Sequence, residues 1–90
     1  MSIDAILDDR GSRYGNYLEQ TKITNALLRV IDGSLRDRGK SLQPDQADAL
    51  NMIVVKISRI INGDPDYADN WRDIAGYATL VAERLEGKNR

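Results

Sequence analysis

Apolar residues recur along this 90-residue chain at three- and four-residue spacing, in stretches separated by glycine, proline and charged residues. That is the period of an amphipathic helix, and no stretch alternates with the period of a strand. Ser2 stands as an N-cap before Ile3, Ile6 and Leu7, so residues 2–9 are expected to form a short first helix that Gly11 ends. Arg10 to Asn16 then reads as a glycine-containing linker. From Asn16 to Arg38 helix formers dominate and no proline interrupts, which predicts the longest helix over 16–38. Its apolar positions, among them Ile23, Leu27, Leu28, Val30 and Ile31, span roughly 200°, wider than one partner helix requires. Gly39 is the expected stop.

The second half predicts a helical hairpin. Pro44 suits a first helical residue, and Asp45 and Asp48 complement the positive end of the dipole of a helix over 44–62. Ala49, Leu50, Ile53, Val54, Ile57 and Ile61 lie on an apolar arc of roughly 160°, with Lys56 just beyond its edge and Arg59 further round. Gly63 suits a left-handed C-terminal position, and Pro65 cannot continue the helix. Asp69 is the expected cap of a last helix over 69–86, on which Trp71, Ile74, Ala78, Val81 and Leu85 keep helical spacing and Asp73, Tyr77 and Arg84 line a flank. Trp71 is expected as a core anchor, and mid-helix Gly76 as a point where another backbone comes close. The fold class is all-α in a single domain over 1–90: a short N-terminal helix, one long helix and a C-terminal antiparallel hairpin, packed as an oligomeric bundle.

Composition narrows the chemistry. Thirteen Lys and Arg against 14 Asp and Glu leave a net charge of −1, so a bulk electrostatic case for nucleic acid is missing. Without Cys or His, thiol nucleophiles, His-based catalysis, disulfides and zinc fingers are excluded. No apolar run approaches the roughly 20 residues of a membrane span, and the expected location is the cytoplasm, that of the host if the chain is phage-encoded. No cofactor and no metal are expected. Asp45 and Asp48 read as dipole complements, with an oxygen-only metal site shared with Asp66 or Asp69 as the other reading.

The order Arg13-Tyr14-Gly15, then Ala49-x-x-Met52-Ile53-x-x-Lys56-x-x-Arg59-Ile60-x-x-Gly63, then Asp69-x-Trp71-x-Asp73-Ile74-Ala75-Gly76-Tyr77-Ala78 resembles a family of small all-helical bacteriophage proteins of unknown function. The resemblance covers about residues 10 to 82 and implies a phage or prophage origin, without an activity. A long helix followed by a hairpin is also distantly similar to the nucleotide pyrophosphohydrolases of the MazG and dimeric dUTPase type. Those enzymes hold magnesium between carboxylates of facing helices. Here Lys56 and Arg59 stand where one carboxylate pair would be needed, so the resemblance implies a degenerate metal site.

Two readings of the charged residues stay open. In one, Lys56, Arg59, Asp69 and Asp73 form ion pairs that bridge the hairpin and fix its register. In the other, Arg13, Tyr14, Lys56 and Arg59 bind a phosphate or another ligand. Function divides the same way: a non-catalytic binding or inhibitor module for a host or phage protein, or a nucleotide-binding protein related to the pyrophosphohydrolases without turnover. A homo-oligomer, with a dimer favoured, is expected because Ile23, Leu27, Val30, Val55 and Leu80 exceed what one three-helix core can use.

Overall fold

Helix ends fall where a side chain or a glycine can satisfy the free backbone groups of a terminus. In the computed structural model, which describes residues 2–88 and Arg90, Ser2 Oγ accepts the Ala5 N–H at 3.1 Å and opens α1 (Ile3–Tyr14). Asn16 Oδ1 accepts the Glu19 N–H at 3.2 Å and opens α2 (Tyr17–Asp37). Gly39, at φ +62°, closes it, with the Lys40 N–H donating to the Leu35 carbonyl at 2.9 Å. α3 (Pro44–Asn62) starts on Pro44, and the Gln43 N–H before it donates to Gln46 Oε1 at 2.9 Å. α4 (Ala68–Leu85) follows a tight turn in which Asp64 Oδ1 accepts the Asp66 N–H at 2.9 Å. The described residues contain no strand, and the fold is all-α. Among the described residues no helix is long and apolar enough to cross a membrane.

Five expectations need correction. Gly11 does not end the first helix: α1 runs through it to Tyr14, because one exposed glycine costs a helix only about 1 kcal/mol. Gly15, at φ +78° and ψ −164°, makes the break instead. Gly63 has φ −121° and is not left-handed; its lack of a side chain serves contact, since a Cβ there would overlap the Arg13 carbonyl and the Tyr14 backbone. Asp69 is not the cap of α4, whose N-cap position is held by Tyr67. Trp71 is 55% exposed, with its indole N–H donating to the Pro65 carbonyl at 2.9 Å, so it anchors the loop rather than the core. Gly76 faces open space with no heavy atom within 4 Å of a would-be Cβ, so no backbone approaches it.

The helices form an open layer with α3 in the middle. α4 packs on one flank of α3 and α2 on the other, and α2 and α4 do not touch. Thr24 Oγ1 of α2 meets Ser58 Oγ at 2.8 Å, and Ser58, fully buried, donates to the Val54 carbonyl at 2.9 Å, so the buried hydroxyls are satisfied. On the other flank, Lys56 Nζ lies 2.9 Å from Asp73 Oδ2, and Arg84 donates through Nε to Asp45 Oδ2 at 2.7 Å. α1 touches one end of the layer, at the start of α2 and the end of α3. Among the described residues Ala49 and Val54, both on α3, are the apolar side chains that are buried.

Candidate functional site

The site begins with backbone geometry at the α1–α2 elbow. Asn62, in the last turn of α3, donates through Nδ2 to the Tyr14 carbonyl at 2.9 Å and to the Asn16 carbonyl at 2.8 Å. The Asp64 N–H donates to the Arg13 carbonyl at 2.7 Å. Such close contact needs a residue without a side chain on each of the two segments. Gly15 and Gly63 meet that need: a Cβ on Gly15 would strike Asn62, and one on Gly63 would strike Arg13 and Tyr14. The last turn of α1 is thereby held against the end of α3 and the loop into α4.

That contact gathers arginines and tyrosines. The Arg59 guanidinium lies over the Tyr14 ring at 4.3 Å from its centroid, and Arg10 approaches the same ring at 5.2 Å. Tyr14 meets Tyr67 edge to face at 6.1 Å between centroids, and Arg13 lies over the Tyr67 ring at 4.3 Å. Each stack is an attraction between a cation and a ring quadrupole. Arg13 also donates through Nε to Asp9 at 3.1 Å, one turn back on α1, and that bond holds its pKa above the ordinary value. The Tyr67 hydroxyl donates to Asp69 Oδ2 at 2.9 Å; the carboxylate, with some burial, raises the phenol's pKa.

Of the four ligand candidates, Arg13, Tyr14 and Arg59 are brought together and Lys56 is not. Lys56, only 8% exposed, faces α4 and neutralises Asp73. Among the candidate hairpin ion pairs, Lys56 and Asp73 meet, while Asp69 turns to Tyr67 and to Arg72, at 3.5 Å, and Arg59 turns to Tyr14. The side chains of Asp69 and Arg59 project from their helices about one turn away from the Lys56–Asp73 seam, which is why they find other neighbours. Asp45 does more than complement a dipole: its two oxygens take two donors from Arg84, a bond that lowers the Asp45 pKa and raises that of Arg84.

Sequence reasoning missed Arg10 and Tyr67, and it placed Arg84 on a flank of the last helix without its partner. Arg10 stands one turn before Tyr14 once α1 is known to continue through Gly11, so the helix boundary concealed it. Tyr67 had no periodic signal, lying in the loop. Antiparallel packing puts the end of α4 beside the start of α3, and that alone pairs Arg84 with Asp45.

A guanidinium that stacks through its face keeps its edge donors for an anion. Neither Arg10 nor Arg59 has a carboxylate partner among the described residues, and Arg59 Nε is buried with no acceptor. Beside them a groove of about 480 Å³ opens between α1 and α2, lined by Leu7, Arg10, Tyr14, Tyr17 and Gln20. The arrangement offers anion recognition with apolar and aromatic walls. No curated protein and no solved structure matches the chain. A family model described as a domain of unknown function (DUF6378) matches residues 2–85, and the chain belongs to that family.

Proposed function

We propose that the protein is a non-catalytic binding module for a host or phage protein, and that the arginine–tyrosine cluster receives an acidic segment of that partner. The observation that carries this reading is the pair Arg10 and Arg59, both stacked on Tyr14 and neither with a carboxylate partner among the described residues. Stacking through the face leaves the edge donors of both guanidinia for an anion, and carboxylates of an acidic segment would take them. A phage or prophage origin and a homo-oligomeric state, a dimer first of all, belong to the same proposal. A second reading, binding of a nucleotide without turnover in keeping with the distant pyrophosphohydrolase likeness, draws on the groove with Tyr14 and Tyr17 beside Arg10.

Titration with a short poly-glutamate peptide and, separately, with nucleoside triphosphates in the presence and absence of magnesium separates the two. The protein-binding reading expects peptide binding that weakens with salt and is lost in Arg59→Ala and Arg10→Ala. The nucleotide reading expects a magnesium-independent rise in melting temperature with triphosphates alone. If neither ligand binds, or if binding survives both substitutions, the cluster is structural and the proposal falls.

A further inference from the structure

The layer has two faces, and α1 covers part of one of them. Taking about 100° per residue, the contacts fix which side chains lie on the other. On α3, Ser58 points to α2, Lys56 to α4, and Arg59 and Asn62 to α1. The remaining side of α3 carries Leu50, Ile53, Ile57 and Ile61. With Thr24 facing α3, the same side of α2 carries Ile23, Leu27 and Val30. With Asp73 and Arg84 facing α3, the same side of α4 carries Trp71, Ala78 and Leu85. An apolar face therefore runs over three helices, and none of the described residues covers it: Val30, Ile61 and Leu85 are 66%, 62% and 61% exposed.

We infer that this face is covered by a second copy of the chain, two layers stacking face to face into a symmetric bundle with α1 on the outside of each. The inference rests on the homo-oligomeric reading above and adds the surface that makes it. Area is the argument for a second copy. The chain exposes 6399 Å², about 1,100 Å² more than a compact monomer of this mass. Its radius of gyration of 15.1 Å also exceeds the roughly 12 Å of a compact chain of this length. Both the arm Ile3–Leu7 and this face contribute exposed apolar side chains to that surface. A stable interface takes about 800 Å² from each partner, which a layer of three helices can supply. A core that the chain lacks is best completed by the one partner always present at equal concentration, and two-fold stacking lays the same apolar face of each copy against the other.

The test is sedimentation equilibrium at micromolar concentration on the whole chain, alongside circular dichroism. The wild type is expected at twice the chain mass. Val30→Glu with Ile61→Glu, at side chains already exposed in one chain, is expected to give a helical monomer. Ile57→Glu is expected to weaken the dimer as well, though it also touches the half-buried centre of the layer. Leu80→Glu, on the opposite face, is expected to leave the dimer intact. A wild-type monomer with a concentration-independent melting temperature overturns the oligomeric reading itself. A dimer that survives V30E with I61E, or one that L80E dissociates, overturns the assignment of the face while leaving oligomerisation standing.

Discussion

Two glycines of this chain answer to different constraints, and their substitutions should separate cleanly. Gly76 sits mid-helix in open space, so Gly76→Ala should raise stability by about 0.5–1 kcal/mol in urea unfolding, by helix propensity alone. Gly15 combines a backbone conformation that other residues adopt only under strain with a Cβ direction blocked by Asn62. Gly15→Ala should therefore cost at least about 2 kcal/mol in the same assay, and a neutral result would mean that the elbow is not held as described. Lys56 offers a second residue-scale test. Asp73→Ala strands a cation that is nearly buried, whereas Lys56→Met leaves a carboxylate that is half in water. The first should cost about 1–2 kcal/mol and the second less, both below a fully buried pair because solvent screens Asp73.

At the level of elements, α1 and α4 differ in how they are tied down. α1 has no buried residue and contacts the layer through its last turn, and a helix of this length is marginal by itself. Hydrogen exchange should show its first two turns exchanging fast, while the α3 amides between Val54 and Ser58 exchange slowest. α4 is fastened at its far end by the Asp45–Arg84 pair, and that fastening depends on pH. Arg84 lowers the Asp45 pKa in the folded chain, so the contribution is complete above the unfolded carboxylate value. It is lost as pH falls through the folded value. Asp45→Asn should thus melt lower than wild type at neutral pH, and the gap should close on acidification below the usual carboxylate range. A gap that stays constant into acid would show that the ion pair is not its source.

Across the whole molecule, the apolar pattern along the chain determined the class and most of the helices. Four helices and their order follow from three- and four-residue spacing with capping residues, because amphipathic periodicity and terminus chemistry act locally. Ser2, Asn16, Gly39 and Pro44 mark boundaries for that reason. Positions at the edges of apolar arcs made the meeting of Lys56 with Asp73 legible, since flanks of packed arcs approach each other. What the sequence left undecided depends on residues distant along the chain. Whether Gly11 or Gly15 ends α1 is decided by the contact of Gly15 with Asn62, 47 positions away by subtraction of their numbers. Trp71 keeps the spacing of a core residue, yet its side of α4 faces away from α3, and only the packing of α2 and α4 on opposite flanks fixes that. The arginine–tyrosine cluster likewise exists because three segments converge on one elbow. Periodicity states which side of a helix is apolar; only the tertiary arrangement decides which part of that side meets a neighbour, because burial is a property of pairs of elements.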